Sequence, residues 1–157
     1  MSIITENSVN RFARLSFPLY AELPSLNLYM DQVIDEVNQF LVPLTGTKIT
    51  KSMINSYVKQ GLVERPEKKR YSKQHLAEIL VVSLMKPILS LDTIKKAIKI
   101  AVKMDPVNIA YDQFIRAFNE ELGKTQTHQL KAVDYQHMAI RSLLYKLLVE
   151  DLVNQNL

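Results

Sequence analysis

Residues 49–71 read ITKSMINSYVKQGLVERPEKKRY, and this stretch decides how the rest of the chain is read. Thr50 or Ser52 can cap a short helix running to about Gln60, with Met53, Ile54, Tyr57 and Val58 on one inward face. Gly61 stands where a left-handed residue commonly ends a helix. Leu62 and Val63 then lead into ERPEKKRY, where two short extended pieces around a proline-containing turn predict a small wing. Between Lys48 and His75 there are eight Lys or Arg against Glu64 and Glu67, a net +6, while the whole chain carries +4. The remainder is slightly acidic, so the positive charge is a local patch suited to a polyanion.

Outward from this segment, the composition bounds the answer. A chain of 157 residues predicts one domain plus an extension and can bury a core without staples. Apolar content of 47% and charged content of 23% suit a globular protein, and only three glycines among long periodic segments favour helix. With no cysteine there are no disulfides, thiolate metal sites or cysteine nucleophiles. The first residues, MSIITENSVNRFARLSF, lack the continuous apolar core of a secretory signal. The most apolar stretch, Ile79 to Met85, is far shorter than the roughly 20 residues a membrane span needs. A soluble, cytoplasmic protein is expected.

Residues 1–25, punctuated by Pro18 and Pro24, predict an irregular arm with one short helical turn. Ser25 can cap a helix over 26–41 with Leu26, Tyr29, Met30, Val33, Val37, Phe40 and Leu41 on one face, ended by Pro43 and Gly46. After the wing, Ser72 caps a helix that is apolar on more than one side and therefore central. Ser83, its one polar residue in the run from Ile79, is expected to bond a carbonyl one turn back. Pro87 ends that helix, and Ser90 caps the next, with Ile94, Ala97, Ile98, Ala101 and Val102 on one face. Pro106 opens a helix bearing Tyr111, Phe114, Phe118 and Leu122, which Gly123 stops. A last helix begins near Thr127.

If Ile54, Tyr57 and Val58 face inward, the outer face of the short helix is Lys51, Ser52, Asn55, Ser56 and Lys59. Such a face fits the DNA major groove: Asn pairs bidentately with an adenine edge, and Ser and Lys reach bases or phosphates. Thr50, Lys51, Ser52, Asn55 and Lys59 are the candidate groove residues. Arg65, Lys68, Lys69, Arg70, Lys73 and the Tyr57 hydroxyl are candidate phosphate contacts. Taken alone, charge of this kind is most often a solvated surface, and Tyr57 is as readily a core tyrosine. The order of elements (helix, short polar helix, glycine, basic hairpin, capped core helix) favours the DNA reading.

The same residues resemble the recognition segment of MerR-type regulators. Ile49 and Thr50 match its start, Ile54 its buried leucine, Tyr57 its second tyrosine, and Gly61, Leu62 and Val63 its exit. Asn55 stands at that pattern's arginine and Ser56 at its first tyrosine. Arg70, Tyr71, Ser72 and Leu76 resemble the wing-to-helix signature, and Leu89, Ser90, Leu91, Ile94 and Lys95 the following helix start. As a whole the chain more closely resembles a bacterial family of unknown function carrying a MerR-like winged helix-turn-helix followed by extra helices. The resemblance implies a transcriptional regulator that dimerises through a long helix.

Other sites carry less. His128 and His137, nine residues apart on one helix, face opposite sides and cannot chelate together, and His75 reads as a surface or helix-end histidine. Glu120 and Glu121 are adjacent and diverge. No nucleotide-binding glycine loop, HExxH or serine elbow is present, so no enzyme, metal site or cofactor is expected. Ile140, Leu143, Leu144, Leu147 and Leu148 exceed what one face of a small bundle needs and are the candidate dimer contacts, though packing across 109–118 of the same chain would also bury them. The expected fold is all-α with a small β wing: an arm over 1–25, a winged helix-turn-helix over 26–104 and a dimerising or sensing extension over 105–157. The expected function is a sequence-specific regulator of double-stranded DNA acting as a homodimer, its effector unspecified. The alternative is a helical adaptor whose basic patch meets an acidic protein.

Overall fold

The computed structural model describes residues 11–124, 131 and 134–156. Among them the fold is all-α. Its helices are α1 (Met30–Thr45), α2 (Lys51–Lys59), α3 (Lys73–Met85), α4 (Leu91–Met104), α5 (Val107–Lys124) and α6 (Asp134–Gln155), preceded by a single 3-10 turn at Tyr20–Glu22. The last helix is described from Asp134, so its expected start near Thr127 and His128 lie outside the described residues.

α3 is the hub. Leu76, Ile79, Leu80, Val82 and Leu84 are buried around its circumference, and it packs on α1, α4 and α5. Against it α1 presents Val33, Val37 and Leu41, a buried row at steps of four. α1 starts later than its apolar period suggests. Leu28 and Tyr71 exchange both backbone hydrogen bonds at 2.8 Å, which holds 26–29 extended and leaves Leu26 77% exposed. The Ser25 cap is therefore not made; the Gln32 side chain accepts from the Tyr29 N–H instead. Pro43 does not end the helix either. It sits inside the last turns, where the carbonyl its missing N–H would have met belongs to solvent-exposed Gln39. Gly46, at φ 72°, makes the stop.

The core runs without a break from Phe17 to Leu122, so the arm belongs to it. Asn119 of α5 clamps the arm: its Oδ1 accepts from the Phe17 N–H at 2.8 Å and its Nδ2 donates to the Phe17 carbonyl at 3.1 Å. The Tyr111 hydroxyl donates to the Pro18 carbonyl and Asp112 accepts from the Tyr20 N–H. Gly123, expected to stop α5, lies inside it. α6 contacts α4, and none of its residues is buried.

The expected β wing is not a sheet. Among the described residues only two isolated bridges form, Leu28 with Tyr71 and Glu67 with Arg70. The Arg70 N–H closes a tight turn onto the Glu67 carbonyl at 2.9 Å, and both central residues, Lys68 and Lys69, have positive φ (49° and 63°). Chain is simply too short on either side: Leu62 and Val63 are drawn into the core and Tyr71 is already paired with Leu28.

Candidate nucleic-acid interface

α2 is held from three sides. Asn38 of α1 grips Ile49 by both backbone groups, Oδ1 accepting from its N–H (2.8 Å) and Nδ2 donating to its carbonyl (3.2 Å), which sets the α1–α2 connection. The Thr50 hydroxyl accepts from the Met53 N–H and caps the first turn. At the other end Gly61 takes φ 78°, the Leu62 N–H bonds back to the Tyr57 carbonyl, and Lys95 Nζ donates to the Gln60 carbonyl at 3.0 Å. A β-carbon at Gly61 would sit 3.1 Å from that ammonium, so the close approach needs glycine. Lys95 was assigned no role from sequence, because its cap spans 35 residues.

Ile54 and Tyr57 are buried, with Met53 and Val58 half-buried beside them. Thr50, Lys51, Ser52, Asn55 and Lys59 are exposed, so one side of α2 is core and the other is open. Arg65, Lys68 and Lys69 are exposed as well, and none of Lys51, Lys59, Arg65, Lys68 and Lys69 forms an ion pair among the described residues. Arg70 and Lys73 have other work. The Arg70 guanidinium donates to the Tyr29 hydroxyl at 2.6 Å and lies 4.4 Å over its ring. Lys73 Nζ donates to the Ala21 carbonyl and faces the Tyr20 ring, tying the arm to α3.

Tyr57 cannot serve as a phosphate contact. It is 1% exposed, and its hydroxyl is buried with no hydrogen-bond partner. Burial raises its pKa; the nearby Ser83 hydroxyl offsets part of the rise, yet the two do not meet the length and angle of a hydrogen bond. Ser83 itself does not bond one turn back as expected: its hydroxyl too is buried and unpartnered.

His75 is a helix-end histidine, but a buried one. Its Nδ1 accepts from the Ser72 N–H at 2.9 Å while Nε2 faces the Arg65 carbonyl at 3.3 Å, a network that assigns the Nε2–H tautomer. Next to it Glu78 accepts from the Glu64 N–H through Oε2 and leaves Oε1 buried and unpartnered. Burial, with the Glu64 charge adding to it, raises Glu78 to about 7, against the lowering by the Glu64 N–H and Gln74.

A family model matches residues 18–118, which take in the arm from Pro18, all of α1 to α4 and most of α5. Its description is a domain of unknown function, DUF1836. The chain belongs to the DUF1836 family. No curated protein and no solved structure matches it. The clamped arm, α2 and the Lys68–Lys69 turn all fall inside the DUF1836 span, whereas α6 lies beyond it. No helix among the described residues is long and apolar enough to cross a membrane, and no group of three or more His, Cys, Asp or Glu among them could hold a metal ion.

Proposed function

We propose that this protein is a sequence-specific, double-stranded DNA-binding regulator in which α1 and α2 form a MerR-like helix-turn-helix and the 67–70 turn serves as a reduced wing. The observation that carries this reading is the open side of α2. Lys51, Ser52, Asn55 and Lys59 are exposed on a short, doubly capped helix, and their cations have no acidic partner among the described residues. Asn55 offers bidentate pairing to a base edge, and the lysines offer charge to phosphates. The Lys68–Lys69 turn supports it. Two non-glycine residues at positive φ cost about 1 kcal/mol each, a strain that projects two ammonium groups beside α2.

A single short helix reads few bases, and two-fold dimers double the contact. α6 supplies the self-association. Ile140, Leu144, Leu148 and Leu152 form a row at steps of four, all exposed, with Leu143 and Leu147 exposed alongside. Rows of this spacing pack into one another across a two-fold axis. The half-buried residues of α6, among them Lys146, Glu150 and Val153, lie on another side, where Asn154 accepts from Lys96 of α4. The second reading, a protein-interaction adaptor, draws on the same exposed helix.

Selection of bound sites from random DNA tests the proposal. A palindromic consensus with half-sites about one helical turn apart is expected, with affinity falling steeply as salt rises. Asn55→Ala should relax preference at one position, and Lys68→Ala with Lys69→Ala should weaken binding to all sequences and flatten the salt slope by about 2. Absence of salt-sensitive binding to any DNA, with capture of an acidic protein that survives nuclease, selects the adaptor.

A further inference from the structure

A cleft of about 290 Å³ opens between the end of α1, the α1–α2 connection, α2 and the end of α3. Leu41, Ile49 and Met53 give it apolar walls, Lys48 and Lys86 are exposed at its edge, and Tyr57 and Ser83 lie deepest. Lys86 Nζ stands 5.4 Å over the Tyr57 ring. The two deepest residues are the ones whose buried hydroxyls have no hydrogen-bond partner, on a tyrosine that is 99% covered and a serine in mid-helix. Buried hydroxyls are almost always satisfied, because leaving one unpaired forfeits its hydration with nothing in return. Two such groups lining one cleft indicate a missing partner. The volume is many times the roughly 30 Å³ of one water and near the lower end of ligand pockets, about 300 Å³. Apolar walls hold water poorly and hold hydrocarbon well.

We propose that this cleft binds a small organic anion with a compact apolar body. Its negative group sits at Lys48 and Lys86, its body against Leu41, Ile49 and Met53, and a second polar group hydrogen-bonds the Tyr57 and Ser83 hydroxyls. Because α2 forms one wall, occupancy bears directly on the helix whose other side is open. The site stands on its own geometry and does not depend on the DNA reading.

The test is a titration of the free, full-length protein with 4-hydroxybenzoate, which carries a carboxylate, a ring and a hydroxyl. Benzoate lacks the hydroxyl and phenol lacks the charge. The expected result is saturable NMR shifts at the Lys48 and Ile49 amides and the Met53 methyl, with benzoate and phenol each about tenfold weaker. Tyr57→Phe removes the unpaired oxygen and keeps the ring, so the unliganded variant should melt no lower than the parent while binding 4-hydroxybenzoate no better than benzoate. Lys48→Ala with Lys86→Ala should reduce binding to that of phenol. No saturable shift at these residues up to about 10 mM, weak even for a fragment-sized ligand, would overturn the proposal. So would Tyr57→Phe that binds as tightly as the parent, or that melts several degrees lower and so reveals a structural water on the hydroxyl.

Discussion

Glu78 shows how a single side chain reports its surroundings. Its folded pKa of about 7 lies above the ordinary 4.5, so the folded protein keeps a proton that the unfolded chain has lost over that window. The stability this proton confers is complete below 4.5 and drains away as pH rises to about 7. Glu78→Gln is uncharged throughout and keeps a carbonyl oxygen for the Glu64 N–H. Its gain over the parent should be negligible near pH 4 and about 2–3 kcal/mol near pH 8, read from urea unfolding at the two values. Lys68 and Lys69 make a second prediction. Asn-Gly suits the two positive-φ positions, so Lys68→Asn with Lys69→Gly should stabilise the fold by about 1 kcal/mol by thermal unfolding and yet weaken DNA binding. Stability and affinity moving in opposite directions would mark the strain as kept for binding; moving together would not. Neither residue's role is visible in its letter: glutamate and lysine are ordinary surface residues until a neighbour buries one or a turn bends the other.

At the scale of elements, punctuation and periodicity read well. Thr50, Ser72 and Ser90 precede α2, α3 and α4, and Gly46 and Gly61 take the left-handed conformation after α1 and α2. The inward face of α2 was legible from the positions of Ile54 and Tyr57. The wing was misread because extended residues flanking a turn make a sheet only if both sides are free to pair. Here Leu62 and Val63 are claimed by the core and Tyr71 by Leu28. The start of α1 failed for the same reason: apolar spacing at Leu26 fits a helix, but backbone pairing at Leu28 takes precedence. α6 carries its own prediction. Leu144→Glu with Leu148→Glu puts charge on the exposed row and removes no intrachain packing, since both residues are exposed. The double variant should remain folded by circular dichroism and sediment as a monomer where the parent sediments as a dimer; a parent that is itself monomeric at micromolar concentration removes the dimer from the functional proposal.

Across the whole molecule, the sequence by itself determined the class and its punctuation. Helix periods, caps and glycine stops are local, so an all-α chain with a short polar helix and a basic turn is written in consecutive residues. So is the concentration of positive charge between Lys48 and His75. Only the tertiary structure decided which polar atoms end up dry. Tyr57 and Ser83 lie 26 residues apart, and whether their hydroxyls meet solvent, each other or a vacant cleft depends on how α1, α2 and α3 converge. The same holds for Asn119 on the arm, 102 residues from Phe17, for Lys95 at the end of α2, and for α6, whose apolar circumference is met inside the chain by α4 on one side only. Periodicity states that a residue faces inward from its own element. It carries no information on which distant element arrives there, or on whether that element brings a hydrogen-bond partner, and those contacts decide where this protein can bind.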